Sequence, residues 1–278
     1  WDKFAQKTYI TNFGDTQEGD ITQIDENTIP DHDILVAGFP CQAFSQAGKR
    51  LGFEDTRGTL FFDVARIIKA KRPKAFLLEN VKNLKTHDKG KTYKIIISTL
   101  ENLGYSTSTV LFKARDFGVP QNRERIYIVG FDKTCVNNFS EFRFPEPFHL
   151  ETKLGNILQT DVDEKYTISD KLWEGHQRRK AEHKTKGNGF GYSLFNADSP
   201  YTNTLSARYY KDGSEILIEQ KGKNPRKITP REAARLQGFP EEFIIPVSDT
   251  QAYKQFGNSV CVPTIHEIAK QILAVLKK

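Results

Sequence analysis

Apolar residues are arranged differently in the two halves of the chain. In the first half, short unbroken apolar runs alternate with stretches where apolar residues recur every three or four positions. Ile34-Leu35-Val36-Ala37, closed by Gly38-Phe39-Pro40, reads as a buried strand stopped by a turn. Phe61, Val64, Ala65 and Ile68 then follow helical spacing, and Arg72-Pro73 ends that helix. Ala75-Phe76-Leu77-Leu78 is a second buried run, closed by Glu79-Asn80. Tyr93, Ile96, Ile97, Leu100 and Leu103 mark a further helix with Gly104 as its stop. Thr109-Val110-Leu111-Phe112 and Ile126-Tyr127-Ile128-Val129-Gly130-Phe131 predict two more strands. This alternation predicts βαβ units and a mostly parallel sheet.

The pattern breaks near Phe144-Pro145-Glu146-Pro147. Beyond it the chain is polar, basic and irregular, with short strand-like pieces such as Ser214-Glu215-Ile216-Leu217-Ile218. Ile265, Ile268, Ala269, Ile272 and Leu276 lie on one face of a last helix. The expected organisation is an α/β domain over 1–150, a second, smaller, irregular domain over 151–249, and a segment, 250–278, that returns to the first.

At 278 residues the chain can bury a substantial core. Its 37% hydrophobic and 27% charged residues exclude a disordered tail. No unbroken apolar run approaches the roughly 18 residues that span a bilayer, so no membrane association is expected. The net charge of +6 is unevenly spread. Residues 171–231 carry 13 Lys and Arg against 6 Asp and Glu, which accounts for all of the excess and permits a polyanionic partner. The three cysteines, Cys41, Cys135 and Cys261, form no Cys-x-x-Cys. That spacing argues against a disulfide framework or a zinc site and fits a reducing compartment. His176 and His183 lie in a polar basic run and read as a solvated face. The chain contains no Met and opens on Trp1, like the interior of a longer sequence.

Several residues carry candidate chemistry. Cys41 follows a strand and precedes a Gly-rich polar loop, so its sulfur can serve as a nucleophile or be a small buried hydrophobe. Glu79 ends an apolar run: it is either a poorly solvated acid or a solvated strand end. Arg123 and Arg125, spaced i and i+2 on an extended segment, should face the same way and can clamp a carbonyl or phosphate; the alternative is a surface ladder with Glu124. Phe256-Gly257-Asn258-Ser259 precedes the last helix and reads as a cap or a close approach to ligand. Gly187-Asn188-Gly189-Phe190-Gly191 has no strand before it, so a dinucleotide loop is rejected. Arg178-Arg179-Lys180 and residues 221–231 can track a phosphate backbone, with Tyr209 and Tyr210 for base or sugar contacts.

Taken in order, Gly38-Phe39-Pro40-Cys41-Gln42-Ala43-Phe44-Ser45, Glu79-Asn80-Val81, Gln121-Asn122-Arg123-Glu124-Arg125, Arg231-Glu232-Ala233-Ala234-Arg235-Leu236-Gln237-Gly238-Phe239-Pro240 and Gln255-Phe256-Gly257-Asn258-Ser259-Val260 resemble the bacterial DNA (cytosine-5)-methyltransferases of restriction–modification systems. The resemblance covers nearly the whole chain and is least specific from about 151 to 203. It implies a Rossmann-like S-adenosylmethionine-dependent methyltransferase sheet, with residues 151–249 as a target-recognition domain. It implies Cys41 as nucleophile, Glu79 at the cytosine ring nitrogen and amine, and Arg125 with Arg123 on the cytosine carbonyl and the catalytic loop. Trp1, Asp20, Ile21, Pro40, Leu60 and Asn258 would hold S-adenosylmethionine. Gln42, Ser45, Arg57, Thr204, Leu205, Arg208 and Tyr209 would meet duplex DNA, with loop 45–58 closing over a flipped base. The family's first strand and its glycine-rich cofactor loop should precede Trp1. The resemblance therefore leaves three readings: a front segment lost or lying outside this sequence, which is favoured; a second chain that supplies it; or a truncated form without full activity. It further implies a monomer on DNA and a bacterial cytoplasmic, nucleoid-associated location. A non-catalytic DNA-binding chain and a transfer-RNA methylase are the competing readings; Gln42 after the cysteine disfavours the latter.

Overall fold

The computed structural model describes residues 1–15, 19–40 and 60–277. These form two compact units, each assembled from separate stretches of chain: Trp1–Gln17, Lys113–Arg123 and Pro147–His266 in one, Glu18–Phe112, Glu124–Glu146 and Glu267–Lys278 in the other. This division by packing runs differently from a cut at residue 150.

The second of these units is built on a four-stranded sheet. Its strands are β1 (Ile34–Gly38), β2 (Ala75–Val81), β3 (Tyr105–Lys113) and β4 (Glu124–Asp132), in the order β1-β2-β4-β3. β1 and β2 are parallel, with Gly38 opposite Glu79. β2 and β4 run antiparallel, with Val81 opposite Arg125. The sheet is therefore mixed, and the mostly parallel sheet expected from the sequence is corrected here. The apolar runs of β2 and β4 are buried, but β1, expected to be buried, is half-exposed with Val36 64% exposed, because a run marks a strand without saying how many of its faces are covered; direction likewise depends on how the chain returns to the sheet. Helix α2 (Leu60–Lys71) lies between β1 and β2 in the chain and buries Phe61, Val64, Ala65 and Ile68, the face its spacing predicted. Helix α3 (Lys91–Asn102) buries Ile96 and Leu100. Both helices join Phe76, Leu78, Ile126 and Ile128 of the sheet in one core. In β4, a side chain at Gly130 would put its Cβ 2.1 Å from the Phe76 ring, so the strand needs glycine there.

The other unit has less regular structure. Helices α1 (Lys3–Phe13), α4 (Asp170–Thr185), α5 (Pro230–Leu236) and α6 (Asp249–Asn258) accompany three two-residue strands, β5 (Leu194–Phe195), β6 (Leu217–Ile218) and β7 (Arg226–Lys227). Its core gathers Leu154, Ile157, Leu205, Tyr209, Ile216, Ile228, Leu236, Tyr253 and Phe256. Thr229 caps α5: its hydroxyl accepts from the Glu232 backbone N–H, and the Glu232 carboxylate accepts from the Thr229 N–H. Glu232 is fully buried and paired twice with Arg226, at 2.7 and 2.8 Å.

Helix α7 (Val262–Leu276) follows α6 across a break at Ser259, whose backbone is extended. An 18-residue window in 249–276 reaches a mean hydropathy of 1.3, which the unbroken-run criterion missed. The break divides that stretch into helices of 10 and 15 residues. At 1.5 Å per residue neither reaches the roughly 30 Å of a hydrocarbon core.

Candidate active site

The sheet places one carboxylate and one guanidinium together at its rim. Glu79 lies near the C-terminal end of β2, and Arg125 sits diagonally across on β4, two positions from Tyr127, its direct partner. An even offset keeps both side chains on one face, within reach of each other. Arg125 Nε is 2.9 Å from Glu79 Oε1, and the two side chains are 15% and 17% exposed. Arg125 Nη1 also donates to the Glu124 carbonyl at 2.9 Å.

Asn80, next to Glu79, points to the opposite face by the same alternation. Its Nδ2 donates to the Phe39 carbonyl at 2.7 Å, and its Oδ1 accepts from the Val81 N–H. This bond ties the end of β1 to the end of β2. With Gly38 opposite Glu79, the chain leaving β1 through Phe39 and exposed Pro40 starts beside the carboxylate. Cys41, Gln42, Ser45 and Arg57 lie outside the described residues. Of the other cysteines, Cys135 is exposed after β4 and Cys261 is buried; partial desolvation and then the Asp132 charge push the Cys135 thiol up, and burial pushes that of Cys261 up, away from nucleophilic use.

Arg123 does not share the face of Arg125. It precedes β4, is 3% exposed, and spends its guanidinium on three carbonyls: Leu205 at 3.3 Å, Gly257 at 3.2 Å and Ser259 at 2.7 Å. The reading of Arg123 as a second catalytic arginine is corrected on this ground. The i, i+2 rule holds only inside a strand, and β4 begins at Glu124.

In the same unit as Arg123, a cleft of about 740 Å³ is walled by Trp1, Tyr9 and Phe13 of the N-terminal stretch and by Tyr210, Phe239 and Phe243. Arg208, Lys254, Gln255 and Asn258 supply its polar lining. Two of the six residues assigned to the cofactor, Trp1 and Asn258, thus line one cavity. Gln255 was not singled out by the sequence. Its Nε2 is buried, yet has no hydrogen-bond partner among the described residues. Asn258 closes the last turn of α6 rather than opening the next helix, which corrects the N-cap reading of its motif.

The other cofactor candidates belong to the sheet unit. Asp20 accepts from the backbone N–H and hydroxyl of Thr22, bonds that hold its carboxyl below the usual range. Arg66 on α2 donates to the carbonyls of Ile21 and Ile24 and pairs with Glu26, fixing this short irregular stretch. Ile21 and Leu60 pack on the core.

Among the residues assigned to DNA, Arg208 is exposed and Thr204 is half-buried, its hydroxyl donating to the Asn122 carbonyl at 2.8 Å. Leu205 and Tyr209 are fully buried. The Tyr209 hydroxyl donates to the Ile216 carbonyl and accepts from the Ile228 N–H. These two are core residues, and their assignment to DNA contact is corrected. An isolated Tyr-Tyr pair does not say which ring faces inward: here Tyr210 is the partly exposed one. Arg226 likewise leaves the basic run for the buried pair with Glu232. His176 is buried rather than solvated: its Nε2 donates to the Asp212 carbonyl at 3.2 Å, and its Nδ1 accepts from Arg179 Nη2 at 2.9 Å.

Comparison with known proteins adds a family to this geometry. The C-5 cytosine-specific DNA methylase family matches residues 1–274. The type II methyltransferase M1.ScrFI of Lactococcus lactis subsp. cremoris is 76% identical over 277 residues, spanning 100% of this chain and 71% of that protein. The type II methyltransferase M.SsoII of Shigella sonnei is 70% identical over 276 residues, covering 99% and 73%. The crystal structure of a Spodoptera frugiperda DNMT2 mutant superposes with a TM-score of 0.77 over 98% of this chain and 90% of that one. At 22% identity that likeness bears on the fold, which it shares.

Proposed function

This chain belongs to the C-5 cytosine-specific DNA methylases, and from that premise we propose that it methylates carbon 5 of cytosine at a defined sequence in duplex DNA, with S-adenosylmethionine as methyl donor. The observation that carries the reading is the Glu79–Arg125 pair at the sheet rim, beside the strand end that leads into Pro40-Cys41-Gln42.

The target carbon lies inside a base stack, so the cytosine must leave the helix, at a cost of a few kcal/mol. Carbon 5 of an aromatic pyrimidine is a weak nucleophile. The Cys41 thiolate adds to carbon 6, forming a carbon–sulfur bond and pushing electron density toward carbon 5 and ring nitrogen 3. Glu79 hydrogen-bonds that nitrogen and the exocyclic amine, stabilising the charge that develops there. Arg125 steadies Glu79 through Nε and turns its fork toward the cytosine carbonyl. After methylation a solvent base takes the carbon 5 proton, its electron pair re-forms the carbon 5–carbon 6 double bond, and the carbon 6–sulfur bond breaks to expel Cys41 as thiolate.

The cleft of about 740 Å³ fits the donor. It lies in the range of small-molecule sites, about 300–1,000 Å³. Its aromatic walls suit a purine ring, and the orphan amide of Gln255 is a donor awaiting an acceptor. Trp1, Asn258 and Gln255 would hold the group in this cleft; Asp20, Ile21, Pro40 and Leu60 of the sheet unit are the other cofactor residues that the family resemblance names. Bound S-adenosylmethionine supplies an electrophilic methyl on its sulfonium.

The exposed Arg208 and the basic surface of 171–231 are proposed to meet DNA, and a single copy is proposed as the acting form. The biological setting we propose is the bacterial cytoplasm and nucleoid, where methylation protects host DNA from a companion endonuclease. The test is incubation of the chain with duplex DNA and methyl-labelled S-adenosylmethionine, followed by nucleoside analysis. Label should appear in 5-methylcytosine and vanish in Cys41→Ser. Label in any other nucleoside, or retained in Cys41→Ser, would overturn the proposal.

A further inference from the structure

Gln121, Arg123 and Gln237 make a buried polar junction for which the reaction itself has no use. Gln121 is fully buried: its Nε2 donates to the Leu236 carbonyl at 2.9 Å and to Gln237 Oε1 at 3.2 Å, and its Oε1 accepts from the Leu205 N–H at 2.9 Å. Gln237, also fully buried, donates from Nε2 to the Phe256 carbonyl at 2.7 Å. Arg123 takes the neighbouring carbonyls of Gly257 and Ser259, and that of Leu205 from the other side. The orphan carbonyls at the end of α6 are thus capped by side chains from two distant stretches of sequence, one of them cationic, as the helix dipole favours.

Two segments converge on this junction. One is 204–208, which contains Thr204 and exposed Arg208. The other is 255–259, which contains Gln255 and Asn258. They touch directly: a Cβ on Gly257 would fall 2.3 Å from the Ala207 nitrogen, so the two backbones are already at closest approach. Both segments line the same cleft, through Ala207 and Arg208 on one side and Gln255, Asn258 and Ser259 on the other.

We propose that Arg123, with Gln121 and Gln237, is a positioning residue that locks the DNA-side segment 204–208 to the cofactor-side segment 255–259, so that filling the cleft and gripping DNA are thermodynamically coupled. The proposal rests on the functional reading above. A rigid buried junction leaves neither segment free to shift alone, so a ligand that orders one orders the other. Coupling of this kind is reciprocal: each ligand tightens the other by the same factor. Arg123 is the centre because one planar fork reaches three carbonyls, which a lysine ammonium on a flexible stem does not reproduce.

The test measures DNA affinity of the 278-residue chain with and without saturating S-adenosylhomocysteine, by fluorescence anisotropy. The wild-type chain should bind DNA on the order of 10-fold tighter with the nucleoside present, inside the roughly 5–150-fold span of such couplings. In Arg123→Lys the ratio should collapse to within about twofold, with circular dichroism confirming a folded chain. Gln237→Met keeps the side-chain volume and removes two of the junction's bonds; it serves as the second variant and should reduce the ratio as well. A wild-type ratio near one, with both ligands bound, overturns the inference. So does a folded variant of either kind that keeps the full ratio. Failure of the wild-type chain to bind DNA at all would instead strike the functional reading on which the inference rests.

Discussion

Two arginine–glutamate pairs in this molecule have opposite fates. Arg226 and Glu232 are 7% and 0% exposed, joined by two short bonds, and the carboxylate also accepts the backbone N–H groups of Gln159 and Thr229. All of its capacity goes into holding α5 and the 159 turn in place. Arg125 and Glu79 meet at a strand end, Nε to Oε1 at 2.9 Å, each about one-sixth exposed. That pair stands at the sheet rim, where a ligand can reach it, rather than inside a core. The difference is one of place: a pair sealed in the core is architecture, and a part-exposed pair at a sheet rim is equipment for a ligand.

The largest effect that can test this contrast is on activity. Glu79→Gln should lower the rate of methyl transfer by about 100- to 10,000-fold, the range for a lost acid–base group, and cost less stability in urea than Glu232→Gln, because the rim pair is the more exposed one. Glu232→Gln should invert that pattern. It leaves Arg226 buried with a neutral partner, so stability should drop by about 3 kcal/mol or more in urea titration, while the rate per folded molecule stays within about twofold. A third, smaller effect concerns Tyr209. Tyr209→Phe leaves the Ile228 N–H and Ile216 carbonyl short of a partner in the core, at a cost of about 1–3 kcal/mol. Salt-dependent DNA binding should not change, because the ring never reaches the surface; loss of affinity in a stable Tyr209→Phe chain would restore its assignment to DNA.

The smallest effect is on pH. Burial holds the His176 imidazole below its ordinary value of 6.5, opposed by the Asp212 carbonyl and charge. The folded chain therefore binds fewer protons than the unfolded one just below that value. His176 contributes its full stability above pH 6.5, and the contribution shrinks as pH falls toward the folded-state value. Urea midpoints taken from pH 7.5 down to 5.5 should decline for wild type by an amount worth under about 1 kcal/mol, and more shallowly for His176→Gln. An equal slope in the two chains would remove His176 from the account.

How much of this was legible in the sequence divides along the same line. The helical spacing of Phe61, Val64, Ala65 and Ile68 predicted the buried face of α2, and the run at 75–78 predicted β2, because local periodicity carries that information. Glu79 and Arg125 could each be named from their motifs, but their pairing could not: only strand register brings the two within 2.9 Å. Strand direction was misread, since it depends on chain return rather than on pattern. The basic region was the least readable. Its charge excess suggested one solvated surface, whereas Arg226 and His176 go inward to partners, Glu232 and Asp212, that lie 6 and 36 residues away. Nothing in residue type separates Tyr209, which holds the core together, from Tyr210 beside it. Gln121 and Gln237 stood inside recognised motifs with no role, because a buried amide shows its purpose only once both of its neighbours are in view.

The most direct test uses duplex DNA tritiated at carbon 5 of cytosine, since methylation there must release that hydrogen. Tritium release in the presence of S-adenosylmethionine should be comparable in wild type and in Glu232→Gln held well below its melting temperature, and at least about 100-fold slower in Glu79→Gln. Equal release from wild type and Glu79→Gln, or equal loss in both variants, would contradict the assignment of the rim pair to catalysis.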